Sequence, residues 1–116
     1  MLIVRILVTD SPRKYREALA LSVQRHRPDL DVRIAPPEEV EPEVRSFDPH
    51  LLVRNDNDGL DPDGLEEILC WIEIIYTDDM DANISVAGRV SKFRDVSMDD
   101  LLAVVDEATE LVSEDT

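Results

Sequence analysis

Apolar and polar residues alternate along this chain in two rhythms, one of strand period and one of helix period. Leu2 to Val8 is a run of branched apolar residues interrupted by Arg5, of strand length and apolar on both sides of the pleat. It predicts a strand buried on both faces. Thr9-Asp10-Ser11-Pro12 ends it; Ser11 suits a helix cap and Pro12 the first helical position. Tyr15, Ala18, Leu19, Ser22, Val23 and His26 then recur at helical spacing, with Arg25, His26 and Arg27 in the last turn and Pro28 as the stop. Leu30, Val32 and Ile34 alternate with Asp31 and Arg33, the pattern of a half-buried strand near a sheet edge. Pro36-Pro37-Glu38-Glu39 opens a second helix with Val40, Val44 and Phe47 toward the core, kept short by Pro42.

Leu51-Leu52-Val53 predicts the next buried strand, followed by a polar loop from Asn55 to Asp63. Asp63 and Glu66 have capping-box spacing for a short helix, Gly64 to Cys70. Trp71 to Tyr76 is a further strand, and Thr77 to Asn83 is polar and too short for a helix with its turns. Ile84-Ser85-Val86, Ala87-Gly88 and Arg89 to Phe93 predict a β-hairpin. Ser97 with Asp100 marks a helix start, and Leu101, Leu102, Val105, Ala108, Thr109 and Val112 form the apolar face of a C-terminal helix. Strand and helix thus alternate three times before the late strands and the last helix. This order predicts an α/β domain with a mainly parallel sheet and helices on both faces, over residues 1–112, with 113–116 a polar tail. Ligands in such folds sit beyond the carboxyl ends of the strands, where Thr9, Asp10, Asn55, Asp56 and Thr77 are expected to gather.

Composition narrows the function. The 116 residues carry 27 acids against 12 Lys and Arg, a net charge of −15. Such a surface repels nucleic-acid backbones and anionic membranes, so neither is expected as a partner. Cys70 is the one cysteine, which excludes a disulfide framework or a zinc site and fits a reducing, cytoplasmic setting. Nothing near the N-terminus resembles a signal peptide, and no apolar run is long enough to span a membrane. The acidic loop Asp56 to Asp63 does not follow the EF-hand pattern: with Gly59 at the sixth position, Arg54 stands first and Leu65 twelfth. His26 and His50 lack metal or triad partners at suitable spacing and are expected to be structural, as are Trp71, Tyr76 and a buried Cys70. There is no glycine-rich phosphate loop and no convergent nucleophile and base, so an enzyme is not expected.

Four motifs in order resemble the receiver domain of two-component response regulators. They are Ile6-Leu7-Val8-Thr9-Asp10-Ser11-Pro12, Asp48-Pro49-His50-Leu51-Leu52-Val53, Asp63-Gly64-Leu65-Glu66 and Ile74-Ile75-Tyr76-Thr77. The resemblance implies a flavodoxin-like, receiver-like three-layer fold, here with the fourth helix shortened or missing and a hairpin in the C-terminal half. It also implies an acceptor aspartate after the third strand, acids after the first strand that hold Mg²⁺, a switch Thr, and a late Lys on the phosphoryl oxygens.

The chain departs from that pattern at most of these parts. Thr9 stands where the first acid of the pair is expected, leaving Asp10. Counting from Pro49 puts Asn55 at the acceptor position; counting back from Gly64 puts Asp56 there. Thr77 fits the switch position, and Lys92, in the hairpin, is the one late lysine. Asp10 and Asp56 are the candidate Mg²⁺ ligands. The resulting expectation is a stand-alone receiver-like signalling module acting through protein–protein interaction, with a histidine kinase or output protein as partner and no conventional aspartyl phosphorylation. The alternatives are a Mg²⁺-dependent phospho-switch using Asp56, and an assembly module that forms homodimers through the hairpin edge.

Overall fold

The computed structural model describes residues 3–10, 13–55, 64–65, 67–75 and 81–114. Its elements in chain order are β1 (Arg5–Val8), α1 (Arg13–His26), β2 (Asp31–Ile34), α2 (Val40–Phe47), β3 (Leu51–Asn55), β4 (Cys70–Ile75), β5 (Asp81–Val86), β6 (Arg89–Phe93) and α3 (Met98–Glu114). A 3-10 turn, Pro37–Glu39, leads into α2. Pro42 is the third residue of α2, where its missing N–H costs no helical hydrogen bond, so it starts the helix rather than breaking it. Asp48, left-handed at φ 51°, ends α2 by donating its amide to Val44 O at 3.0 Å.

One six-stranded sheet runs in the order β2-β1-β3-β4-β5-β6. The four strands from β2 to β4 are parallel neighbours, whereas β5 and β6 run antiparallel in a meander. This mixed sheet replaces the expected flavodoxin-like, receiver-like fold with its mainly parallel sheet. The cause lies in chain length: residues 76–80 alone separate β4 from β5. A parallel crossover needs about a dozen residues or more, whereas an antiparallel return needs only a few. Among the described residues, the helices of a full turn or more are α1, α2 and α3.

The two faces of the sheet bury different cores. Ile6, Val8, Leu51, Val53, Cys70, Ile72, Ile74, Ala82 and Ile84 meet Val23 of α1 and Leu101, Val105, Ala108 and Val112 of α3. On the other face Leu7, Leu52 and Ile68 meet Val40 and Phe47 of α2, with Val44, Leu65 and Trp71 at the margin. This alternation is the period of two read from the sequence of each strand. A two-pronged contact of Arg27 with Asp106, Nε to Oδ1 at 2.7 Å and Nη2 to Oδ2 at 2.8 Å, ties the end of α1 to α3. It holds the Asp106 carboxyl below its usual range.

Several local expectations shift. Cys70 is the first residue of β4 rather than the end of a helix; of the predicted helix, Gly64 and Leu65 are helical. Asp81 to Asn83 belong to β5, so the hairpin is longer than the apolar pattern indicated. Ser113 and Glu114, read as part of the polar tail, continue α3. The start of α3 is as read: Ser97 N donates to Asp100 Oδ2 at 3.0 Å and Asp100 N donates to Ser97 Oγ at 3.2 Å, a reciprocal capping box.

The hairpin turn suggests a stabilising substitution. Ala87 at φ 51° and Gly88 at φ 87° are both left-handed, as a two-residue I′ turn requires. A Cβ is strained there by about 1–2 kcal/mol. Ala87→Gly should therefore raise stability by roughly 1 kcal/mol, read as a higher urea midpoint at constant slope. An unchanged or lower midpoint would show that the turn relaxes to another form.

Candidate functional site

The carboxyl ends of β1 and β3 bring together only part of the predicted constellation. Thr9 is fully buried; its amide and hydroxyl both donate to Val53 O, at 2.8 and 3.3 Å. It extends the β1–β3 ladder by one residue and is spent on backbone. Val8 pairs with Val53, so the register carried on by Thr9 sets Asp10 beside Asn55, on the face toward α1 and α3. Asp10 is 1 % exposed, and Asn55 ends β3 with its Oδ1 lacking a hydrogen-bond partner. The amide Asn55, not a carboxylate, is thus the strand residue next to Asp10. Asp56 and Thr77 lie outside the described residues, as does Tyr76.

Lys92 is not brought to this place. It stands in exposed β6, opposite Asn83, and the neighbouring Phe93 pairs with Ala82 of the α1/α3 core. Lys92 therefore points from the other face, three strands away from β3, about 14 Å at ~4.8 Å per spacing. Among the described residues the carboxylates at these strand ends are Asp10 and, opposite Ile75 at the start of β5 and on the other face of the sheet, Asp81, whose Oδ1 is buried; Thr9 is committed to Val53 O. No group of three His, Cys, Asp or Glu placed to hold a metal occurs among the described residues. Mg²⁺ usually keeps several waters and is held through one or two carboxylates; Asp56, the second ligand expected from the sequence, lies outside the described residues.

Asp10 also lies at the floor of a cleft of about 420 Å³ between α1 and the start of α3, whose walls include Tyr15, Leu19, Ile74, Met98 and Leu101. The lining is mainly apolar, and Asp10 is its one acid.

Three features escaped the sequence reading. Arg54, 5 % exposed, donates from Nη1 to Glu73 Oε2 at 2.6 Å, and Asn83 Nδ2 donates to Glu73 Oε1 at 3.1 Å. With Lys92 opposite Asn83, they make a polar row across β3, β4, β5 and β6. The signal was present as single polar residues inside apolar runs, Arg54 after Leu51-Leu52-Val53 and Glu73 within Trp71 to Ile75. The second is Arg16, 8 % exposed near the start of α1. The third is that β6, whose edge the sequence did offer, is exposed on both faces along its whole length, with Val90 at 61 %.

Both histidines contact the backbone of the fold, and the cysteine is buried. His26 Nδ1 lies 2.8 Å from Ser22 O in the last turn of α1. His50 Nδ1 accepts the Arg5 amide at 2.9 Å, so the proton of the neutral ring sits on Nε2. Burial, then Arg5, push the His50 pKa down against the opposing pull of Asp48. The unfolded chain therefore takes up this proton first as pH falls. Stability from His50 is present above about pH 6.5 and is lost below it. His50→Asn keeps an acceptor for the Arg5 amide and does not titrate. Its unfolding midpoint should fall less than that of the wild type between about pH 7.5 and 5.5; equal falls would contradict the assignment. Cys70 is fully buried, and burial pushes its thiol up, away from nucleophilic use.

No helix among the described residues is long and apolar enough to cross a membrane. Comparison with known proteins finds no matching family model, no matching curated protein and no matching solved structure, so the receiver resemblance rests on the sequence motifs alone.

Proposed function

We propose that this chain is a non-enzymatic signalling module that acts by protein–protein contact, without conventional aspartyl phosphorylation, and that β6 is its contact edge for an acidic, extended segment of a partner. The observation that carries the proposal is the charge of this edge. In a chain of net charge −15, Ala87 to Arg94 hold Arg89, Lys92 and Arg94 and no acid. Every residue of β6 is exposed, and its outer backbone groups are open to a further strand. An added strand gains main-chain hydrogen bonds; acids on its alternate residues meet Lys92 on the Val90 face or Arg89 on the Phe93 face, and its apolar residues cover the opposite face. Self-pairing of β6 would bring Arg89, Lys92 and the adjoining Arg94 of one copy close to the same cations of the other, which disfavours the homodimer through this edge. Asn55 beside Asp10, with Lys92 on the other face, supports the absence of a phosphoryl-transfer centre.

Titration of the isotopically labelled protein with a short peptide of alternating valine and glutamate should shift amides of β5 and β6 and weaken with added salt. A peptide of alternating valine and lysine should not bind, and R89E/K92E should abolish the effect. Absence of binding by the glutamate peptide would overturn the proposal and leave the cations as guards against edge aggregation. Acetyl phosphate with Mg²⁺ should leave the mass unchanged. A stoichiometric phosphoryl adduct would instead establish the phospho-switch using Asp56.

A further inference from the structure

We propose a second, independent site: the start of α1 binds the phosphate group of a small organic phosphate. The first turn of α1, Arg13 to Arg16, carries three cations, Arg13, Lys14 and Arg16, and no acid. Unpaired amides already make the amino end of a helix positive, so natural helices place acids there. Three cations at that end, in a chain with 27 acids to choose from, run against the helix dipole.

Arg16 points independently to an anion. It is 8 % exposed, so its guanidinium has lost most of its water. Its Nε has no hydrogen-bond partner, and its hydrogen bond among the described residues is a long one, Nη1 to Asp10 O at 3.5 Å. A buried guanidinium with five donors, an unpartnered Nε and one marginal acceptor among the described residues is incompletely compensated. It lines a cleft of about 410 Å³ between α1 and the chain leaving β2, together with Arg13, Glu17, Ile34, Ala35 and Pro36. This is the carboxyl-end side of the parallel part of the sheet, where amide dipoles and helix starts collect anions.

The lining also indicates the rest of the ligand. Arg16 offers a planar fork for two oxyanion oxygens, and Arg13, now paired with exposed Glu17 at 2.8 Å, can swing to a third. A phosphate dianion matches this charge better than a single carboxylate. Ile34, 43 % exposed on edge strand β2, with Ala35 and Pro36, gives an apolar wall for the organic part. The cleft is of small-ligand size. Nothing in this site overlaps β6, so the two proposals stand or fall separately.

The experiment titrates inorganic phosphate and phenyl phosphate into the labelled full chain at constant ionic strength, with chloride as reference. Saturable amide shifts are expected at residues 13–17 and 34–36, with phenyl phosphate binding more tightly than inorganic phosphate. Arg16→Gln should weaken phenyl phosphate roughly ten-fold or more, while Arg94→Gln, in the β6 region, should leave it unchanged. If Arg16→Gln does not fold, Arg13→Gln carries the test, because Arg13 is exposed and its loss leaves the core intact. Shifts equal to those given by chloride, shifts elsewhere, or binding that survives whichever of the two arginine variants is tested would overturn the proposal. Equal affinity for the two phosphates would overturn the organic-ligand part and leave a site for free phosphate.

Discussion

Replacing Glu73 by alanine should destabilise this protein by about 3 kcal/mol, far more than an acid on a sheet surface is expected to matter. Glu73 holds two partners at once, Arg54 at 2.6 Å and Asn83 at 3.1 Å. The register sets all three directly opposite one another on adjacent strands. The side chains of Arg54 and Glu73 are 6 % and 19 % exposed, so their attraction is little screened by water. Truncation at Glu73 leaves the Arg54 charge in place without this carboxylate and removes the acceptor of Asn83. Glu73→Gln keeps a carbonyl acceptor for one of the two and should cost less, about 1–2 kcal/mol. The double variant R54M/E73L removes both charges, and with them the cost of desolvating them. It should lie close to the wild type or above it. Urea unfolding at constant slope provides the measurement. A Glu73→Ala loss below about 0.5 kcal/mol would place the pair among solvated surface pairs of small net effect.

The parallel half of the sheet was legible because its signals are local. β1, β2 and β3 each announce themselves by a few residues, and the α1 and α3 stripes keep one helical face apolar over several turns. The capping box at Ser97 and the Ala87-Gly88 turn were readable for the same reason: each is a rule about neighbours. The direction of β5 was not local. It depends on how many residues lie between β4 and β5, and the polar stretch that begins at Thr77 obscured where β5 starts. The expectation of a mainly parallel sheet left the direction of β5 unassigned, while the short connection forces an antiparallel strand. Arg16 was invisible for a different reason. In a helix it falls between Tyr15 and Glu17 as an ordinary polar residue, and only the packing of α1 against the end of β2 takes it out of water. The polar row from Arg54 to Lys92 needed a register, which a period-two pattern cannot supply across four strands.

The second large effect is expected at Ile72, where the two halves of the sheet join. Ile72 is fully buried in β4, with Val53 opposite it on the parallel side and Ile84 on the antiparallel side. Val8 continues the same row through Val53. Four branched side chains in line thus join β1, β3, β4 and β5 beneath α1 and α3. Ile72→Ala removes carbons from the middle of that row, where strands on both sides limit inward collapse. The loss combines lost burial with a residual cavity, about 2–5 kcal/mol, whereas Ile72→Val should cost only about 0.5–1.5 kcal/mol. Because the row spans the junction, both variants should still unfold in one transition, with an unchanged denaturant slope. A separate early transition for β5 and β6 would mean that the meander is an independently opening unit rather than part of one core. If Ile72→Ala cost no more than Ile72→Val, the helices would be closing over the gap, and the junction would be a pliable part of the sheet.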